Sequence, residues 1–222
     1  MESSDELEQA SESLGEAISA FGVEVAPECI DKLSAYCDVL WEWNEKINLT
    51  RHTTYDLFVK RDLLDSVRLA KLLAQDEDVL DVGTGGGVPG LLLAILRPDL
   101  NVAVCDSVEK KTKVVKAMVE KLDLPVAVHA SKVQNVVADL RFHSLVTRAV
   151  GSITKLLRWL EKDWMSFDRL LAIKGPRWVD ERSEARTAGL LANLDLRKVD
   201  SYPMPGTESE SVILEIQPRR DG

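Results

Sequence analysis

The feature that most constrains this chain is a glycine-rich turn between a strand-like run and a helix-like run. Residues 81–90 read Asp-Val-Gly-Thr-Gly-Gly-Gly-Val-Pro-Gly, after the apolar run 78–82 and before the apolar run 91–96. Glycine lets a backbone take positive φ and approach a ligand closely, and the start of a helix offers unpaired N–H groups to that ligand. Asp106 lies 23 residues beyond Gly83, where an acid typically receives the ribose hydroxyls of an adenine cofactor. The turn therefore predicts a nucleoside cofactor.

Two features of the turn distinguish between the cofactors that it could bind. Residues 85–90 formally fit the dinucleotide pattern G-x-G-x-x-G, but Pro89 lacks one of the N–H groups that a pyrophosphate needs. Asp81 is expected to point into the ligand cleft, where it would repel a pyrophosphate and attract the cationic sulfonium and ammonium groups of S-adenosylmethionine (SAM). The spacing of the acid and the alternating glycines is typical of SAM sites: Asp81, Gly83, Gly85 and Gly87. We therefore predict SAM, with a dinucleotide or a purely structural turn as alternatives.

Composition limits the class of protein. With 222 residues, 45% of them hydrophobic, the chain can form one domain with an extension. The three cysteines show no metal-ligand spacing, so no metal site is predicted, and their odd number without an export signal favours a reducing cytoplasm. No apolar run approaches the ~18 residues of a membrane span, so no membrane attachment is expected.

The net charge of −9 is unevenly distributed. Residues 1–31 contain nine acids and no lysine or arginine, while the rest of the chain holds 28 acids and 28 bases. The acidic segment is interpreted first as a solvated helix face. A basic surface on the neutral remainder stays compatible with a nucleic-acid partner.

Apolar periodicity predicts an α/β fold. Helices are expected at 5–21, 27–46 and 54–74, and from residue 78 strands and helices alternate. The strands are predicted at 78–82, 101–105, 125–129, 143–148, 168–174, 197–203 and 211–217, and the helices at 89–96, 109–123, 152–162 and 178–194. Such alternation gives a mainly parallel sheet, here of seven strands, with helices on both faces and an antiparallel hairpin at the end. Residues 1–75 are predicted to form a helical extension, whose acidic part (1–26) could be loosely attached, and residues 76–222 the SAM-binding domain.

Polar residues outside the turn are the other candidates for function. Asn48 and Thr50 are poor helix-interior residues, so they either end one helix or cap the next. Arg61 and Asp65 are four apart on a predicted helix, which suits a surface ion pair as well as a functional pair.

Two cations are predicted to lie at the ligand-binding edge of the sheet. Arg148 and Lys174 each end a buried-strand pattern, and open α/β sheets bind ligands at the carboxyl ends of their strands. We therefore expect both side chains to face the cleft.

Together these segments resemble the bacterial ribosomal small subunit methyltransferase G family (RsmG, also called GidB). The resemblance spans about residues 33–217 and depends on Trp43-Asn44, Asn48-Leu49-Thr50, Arg61, Asp65-Ser66, residues 81–90, Arg97-Pro98, Asp106-Ser107, Thr147-Arg148-Ala149 and Lys174-Gly175. It implies a Rossmann-like class I SAM-dependent methyltransferase that methylates N7 of a guanine in 16S ribosomal RNA. The implied partner is small-subunit RNA or the ribosomal particle, and a monomer is expected.

The resemblance and the glycine pattern together assign roles to individual residues. The cofactor set comprises Asp81, Gly83, Gly85, Val88, Asp106, Val133, Gln134 and Arg148. The RNA set comprises Thr50, Arg61, Asp65, Lys132 and Lys174. The catalytic set is Arg148, Lys174 and Asn48, which are expected to orient the reactants, because guanine N7 is already unprotonated at neutral pH and needs no general base.

Three departures from the family pattern bear on the target. Asp62 stands where the family usually has histidine, Gln134 where it has an acid, and Glu208-Ser209-Glu210-Ser211 where it has a basic segment. The changes at Asp62 and at residues 208–211 remove positive charge or add negative charge, so they are expected to weaken attraction to RNA phosphates. Alternatives are therefore a methyltransferase diverged toward another RNA, a protein or a small molecule, a non-catalytic SAM-binding ribosome-assembly protein and, last, a dinucleotide oxidoreductase.

Overall fold

The structure is a computed structural model that describes residues 10–219. This part of the chain begins with two helices. They are α1 (Leu14–Ala20) and α2 (Pro27–Asn44). Proline is favoured at the first helical position, because an N–H there would have no partner within the helix. Residues 5–9 of the first predicted helix lie outside the described residues. Apolar side chains of α1 are buried, so residues 14–20 are packed against the core rather than loosely attached.

The third predicted helix, 54–74, contains a π-helical segment. The chain runs through α3 (Tyr55–Leu57), a π-helix (Phe58–Leu63) and α4 (Leu64–Ala70). A π-helical turn accommodates an extra residue and is frequent at functional sites. The π-helix carries Asp62, whose carboxylate is fully buried. The spacing of apolar residues could not predict the π-helix, because the same spacing continues on both sides of the inserted turn.

The sheet contains seven strands: β1 (Asp78–Val82), β2 (Asn101–Cys105), β3 (Ala127–His129), β4 (Phe142–Arg148), β5 (Phe167–Lys174), β6 (Leu194–Pro203) and β7 (Glu210–Pro218). Their order across the sheet is β3-β2-β1-β4-β5-β7-β6. Strands β1 to β5 pair in parallel, and β7 is antiparallel to β5 and β6. This confirms the predicted sheet and its hairpin edge. The strand order reverses at β1, where such sheets bind ligands beyond the carboxyl ends of their strands.

Helices cover both faces of the sheet, as predicted. After β1 the chain forms α5 (Gly90–Leu96), α6 (Glu109–Lys121), α7 (Val133–Asp139), α8 (Ile153–Leu160) and α9 (Trp178–Thr187). One hydrophobic cluster contains apolar side chains of α1, α2 and α4 to α6, and a second contains those of α7 to α9. The N-terminal helices and the sheet thus share one core, and the division at residues 75 and 76 stays a prediction. Within residues 10–219 the structure has no helix with the length and apolarity required to cross a bilayer.

The helix predictions differ from the structure in three places. The first predicted helix began at residue 5, but residues 10–13 are not helical and α1 begins at Leu14. Helix α7 was not predicted, because β-branched residues have low helix propensity; burial in the second cluster stabilises it instead, through Val133, Val136 and Val137. Helix α9 was predicted to reach residue 194 but ends at Thr187. Gly189 follows with a φ of +75°, the left-handed conformation that commonly terminates helices.

A buried ion cluster joins β4, β5 and β7 to the helical extension. The Arg169 guanidinium contacts Glu77 at 3.2 Å and Glu215 at 3.1 Å, and it donates to the Leu72 carbonyl at 2.9 Å and to the Ser144 hydroxyl at 2.8 Å. The Glu77 side chain is only 5% exposed. This cation therefore neutralises a carboxylate that water hardly reaches.

Replacing Arg169 with methionine should lower the free energy of unfolding by about 3 kcal/mol, because the mutation leaves the Glu77 charge buried without its partner. The matched control is Arg141→Met, which removes the ion pair with Asp168 but acts on a side chain that is 61% exposed. That change should lower the free energy of unfolding by less than about 1 kcal/mol. Urea unfolding followed by tryptophan fluorescence measures both values, and equal losses in the two variants would contradict the interpretation.

Candidate functional site

A cavity of about 500 Å³ lies at the carboxyl ends of β1, β2 and β4. We call it the cofactor cavity. Its wall includes five of the residues predicted for function: Gly83, Asp106, Lys132, Val133 and Gln134. Its volume is within the ~300–1,000 Å³ of ordinary ligand pockets. The switch point of the sheet therefore has room for a nucleoside ligand.

The glycine turn that borders this cavity adopts backbone conformations that favour glycine, and at Gly83 it has no space for a side chain. Gly83, Gly85 and Gly87 have φ angles of +72°, +59° and +98°. A Cβ on Gly83 would lie 2.6 Å from the Val150 Cγ2. The Tyr36 hydroxyl of α2 donates to the Gly86 carbonyl at 2.9 Å. The helical extension thus fixes the shape of the turn directly.

Asp106 occupies the cavity wall at the end of β2, as predicted. Its Oδ2 accepts a hydrogen bond from the Gly85 amide at 3.1 Å, and its Oδ1 accepts one from the Val108 amide at 2.8 Å. The side chain is held between the glycine turn and the chain after β2. Each carboxylate oxygen retains a further lone pair for a ligand hydroxyl.

Contrary to the expectation from the sequence, Asp81 does not point into the cleft. It is fully buried beneath the turn and is not part of the cavity wall, and its Oδ2 accepts from the Gly90 amide at 2.9 Å. Its Oδ1 makes no hydrogen bond of ordinary geometry among residues 10–219, although the nearby Thr84 hydroxyl opposes the rise of the Asp81 pKa. Burial raises the pKa of Asp81 to about 6. A buried carboxylate with an unsatisfied oxygen suits a cationic ligand. Because Asp81 is not part of the cavity wall, its cofactor role stays a prediction. Val88 is also buried outside the cavity wall.

Arg148 lies at the end of β4 between two carboxylates of the helical extension. Its Nη1 contacts the Asp62 Oδ1 at 2.6 Å and the Asp65 Oδ2 at 3.4 Å. The Asp62 Oδ1 also lies 2.9 Å from the His52 Nδ1, and the Asp65 Oδ1 accepts from the Tyr202 hydroxyl at 2.7 Å. The predicted Arg61–Asp65 pair is replaced by these contacts. Five side chains from three parts of the chain therefore form one polar network.

The protonation behaviour of this network follows from burial and charge. Burial raises the pKa of Asp65 above the ordinary carboxyl range, although Arg148 opposes the shift. Burial disfavours the charged form of Arg148, but the attraction of Asp62 and Asp65 is stronger and raises the pKa of Arg148 above its usual value. The guanidinium therefore remains charged at the base of the cleft.

A second cavity, of about 1030 Å³, adjoins this network. We call it the target cavity. Its wall includes four predicted site residues: Arg61, Asp65, Arg148 and Lys174. Ala149, which follows Arg148, lies on the walls of both cavities. The two cavities are therefore neighbours just beyond the end of β4, with Ala149 as a shared wall residue.

The predicted Asn48 and Thr50 lie on a loop near the target cavity but are not part of its wall. The Asn44 Oδ1 accepts from the Leu49 and Thr50 amides at 2.8 and 2.9 Å, so Asn44 shapes the loop. The Thr50 hydroxyl accepts from the His52 amide at 3.0 Å. Asn48 is exposed. The loop thus presents His52, rather than Asn48 or Thr50, to the cavity.

Two predicted lysines have different surroundings from those expected. Lys174 is only 7% exposed, and its Nζ contacts the Glu181 Oε2 at 2.8 Å and donates to the Gly151 carbonyl. It is therefore already paired within the protein. Lys132 is exposed and borders the cofactor cavity rather than the target cavity. Direct RNA contact by either lysine stays a prediction.

Sequence reasoning missed several residues of the site. His52 and Tyr202 belong to the Arg148 network, Tyr36 supports the glycine turn, and Trp159 borders the cofactor cavity. These residues lie in no motif of their own. The only signal was that His52 follows the distinctive segment 48–50.

The three departures from the family pattern differ in position. Asp62 is fully buried and pairs with Arg148, so it does not present its charge to RNA. Gln134 borders the cofactor cavity rather than the target cavity. Asp62 therefore exposes no charge that could repel phosphate, so the expectation was wrong for Asp62, and an effect of Gln134 on the target stays a prediction. In the hairpin segment, Glu208 and Glu210 are exposed, whereas Ser211 borders the target cavity.

Solved structures resemble this fold. TrmK of M. capricolum, in complex with S-adenosyl-homocysteine, matches with a TM-score of 0.55 and 16% identity over 70% of this chain and 68% of that chain. The 23S rRNA methyltransferase ErmE matches with a TM-score of 0.52 and 15% identity over 72% and 70% of the two chains. At these identities the likeness shows the fold alone, and it confirms the predicted class I SAM-dependent methyltransferase fold.

Sequence relatives are more specific. A protein of Rhodopirellula baltica named ribosomal RNA small subunit methyltransferase G is 51% identical over 194 residues, covering 87% of this chain and 84% of that protein. A protein of the same name from Anaeromyxobacter sp. is 35% identical over 207 residues, covering 90% and 94%. The family described as rRNA small subunit methyltransferase G (GidB) matches residues 29–207. As the resemblance predicted, this chain belongs to the rRNA small subunit methyltransferase G family.

Proposed function

We propose that this protein transfers the methyl group of SAM to N7 of a guanine in 16S ribosomal RNA. The observation that carries the proposal is that the cofactor and target cavities share Ala149 as a wall residue, beside the Arg148 network, in a chain of this family. The guanine position comes from the family resemblance. The cavities supply adjacent places for a methyl donor and a base.

The residues around the cofactor cavity fit SAM. Asp106 stands where ribose hydroxyls would bind, and Gly83 lets the backbone border the cavity beside Val150 because it has no Cβ. The unsatisfied Asp81 Oδ1 offers negative charge beneath the turn. When bound, SAM supplies a methyl group activated by a positively charged sulfur.

The chemistry requires alignment more than proton transfer. The N7 lone pair attacks the methyl carbon in line with the departing sulfur, so a C–N bond forms while the C–S bond breaks. The base gains a positive charge, and a neutral thioether leaves. Asp65 borders the target cavity and could stabilise the developing charge on the base, while Arg148 fixes the position of Asp65.

The partner and the compartment are also part of this proposal. We propose small-subunit RNA or the ribosomal particle as the partner, a monomeric enzyme, and the cytoplasm as its location. In support of a reducing compartment, Cys29, Cys37 and Cys105 are free and buried.

The proposal is tested by methyl transfer from isotopically labelled SAM to small subunits and to naked 16S RNA that lack the modification. We expect 7-methylguanosine at a single position when the RNA is digested and analysed by mass spectrometry. Label on another nucleoside, or on protein, would support a diverged methyltransferase instead. SAM binding without any transfer would support a non-catalytic assembly protein.

SAM affinity should decrease as the pH is lowered through about 6. Burial raises the pKa of Asp81 to about 6, so above that pH its carboxylate attracts the cationic ligand, and below it protonation removes the attraction. Asp81→Asn should bind SAM more weakly and lose this pH dependence, because its amide oxygen can still accept from the Gly90 amide. Isothermal titration calorimetry across this range provides the measurement. An equal pH dependence in both proteins would remove Asp81 from the cofactor site.

Replacing Arg148 with alanine should abolish methyl transfer and lower the free energy of unfolding by about 3 kcal/mol, because Asp62 and Asp65 lose the cation between them. The double variant Arg148→Ala/Asp62→Asn should recover part of the stability, since one buried charge is gone, but not the activity. Urea unfolding and a methyl-transfer assay on folded protein separate the two effects. Activity near that of the wild type in either variant would show that Arg148 only stabilises the fold.

A further inference from the structure

We infer that the largely buried pair Lys174–Glu181 is a positioning device that fixes the loop between β4 and α8, residues 149–152. We call this segment the target loop. It connects the end of β4 to α8, and its first residue, Ala149, borders both cavities. The inference rests on the proposed function, because it assigns to the pair the task of shaping the surface on which the target base would rest.

The pair bonds to a backbone carbonyl of the target loop and to the backbone amide that follows the loop. Lys174 Nζ donates to the Gly151 carbonyl, while the Glu181 Oε2 accepts from the Ile153 amide at 2.9 Å. The same Glu181 oxygen lies 2.8 Å from Lys174 Nζ. One ion pair therefore joins the end of β5 and the first turns of α9 to the loop and to the start of α8.

The target loop needs such support because its backbone is unusual. Ala149 has a φ of +56°, a left-handed conformation that residues with a side chain seldom adopt. Gly151 has a φ of +119°. Conformations of this kind persist when surrounding contacts determine them. The contacts at Gly151 and Ile153 are therefore well placed to hold the loop in this shape.

Burial makes the pair act as a unit. The side chains of Lys174 and Glu181 are 7% and 19% exposed. Removal of either charge leaves the other in a poorly solvated wall, where it would seek new partners. Each of them therefore needs the other to hold the loop.

Lys174 and Glu181 both border the target cavity, but their polar atoms are bonded to one another and to the loop backbone, so the pair acts through the loop rather than on the substrate. Lys174 is committed to Glu181 and to a backbone carbonyl, so its expected part in the catalytic set becomes that of a positioning residue. Sequence reasoning could not find Glu181, because it lies on an acid-rich helix and belongs to no motif.

The test compares Glu181→Ala with Glu181→Gln in the full-length protein. Glu181→Ala should lower kcat by tenfold or more, since a displacement of about 1 Å near reacting groups can cost on the order of 100-fold. Its Kd for SAM should change by less than about twofold, because Glu181 is outside the cofactor cavity. Glu181→Gln should retain more activity, since its amide oxygen can still accept from the Ile153 amide. In a double-mutant cycle, Lys174→Met and Glu181→Ala should have less than additive effects on kcat.

The matched control is Glu77→Gln, which alters a buried carboxylate of the Arg169 cluster at the amino-terminal edge of the sheet. It should lower the unfolding midpoint in urea and leave kcat unchanged in the absence of urea. If Glu181→Ala behaves like Glu77→Gln, the pair is merely structural and the inference is wrong. The inference is also wrong if the losses of kcat in the double-mutant cycle are simply additive.

A readout that needs no RNA separates this inference from the proposed function. Hydrogen exchange of the amides at residues 150–153 should be faster in Glu181→Ala than in the wild type, while exchange at the glycine turn should be unchanged. Unaltered exchange in the target loop would overturn the inference even if the wild type methylates RNA. Absence of methyl transfer by the wild type, by contrast, would overturn the proposed function.

Discussion

The ion pair between Arg148 and Asp62 joins the two parts of the chain that form the site. Arg148 ends β4, whereas Asp62 lies on the π-helix of the helical extension and is fully buried. A buried carboxylate requires a cation, and the same guanidinium also contacts Asp65 on the wall of the target cavity. His52 and Tyr202 complete the network from the other sides. Arg148 therefore links the two carboxylates to which these side chains bond.

The helical extension is part of the site and not an appendage to it. Tyr36 bonds the Gly86 carbonyl, so α2 supports the turn that borders the cofactor cavity. At the other side of the cleft, Lys174 and Glu181 hold the target loop. Both walls of the cleft are thus fixed by buried polar contacts, as expected for a reaction in which alignment of two ligands supplies most of the catalysis.

Sequence reasoning predicted the regular elements better than the contacts between them. The seven strands and the antiparallel hairpin follow from alternating apolar runs. Helix α7 was missed because its valines disfavour a helix until burial stabilises it. The site residues near the glycine turn, such as Gly83 and Asp106, were found because their function depends on short-range spacing. Asp81 was found as well, but its burial beneath Gly90 was not foreseen.

The sequence by itself determined the cofactor turn, the order of the strands and the family, because each of these can be recognised from short segments of the chain. Tertiary structure alone decided which charges pair. Asp65 lies 83 residues from Arg148 and 137 residues from Tyr202. From the sequence, the charge of Asp62 suggested a surface that repels RNA. In the structure this side chain is buried and pairs with Arg148. Burial and long-range pairing change what a charge does, and local sequence contains neither.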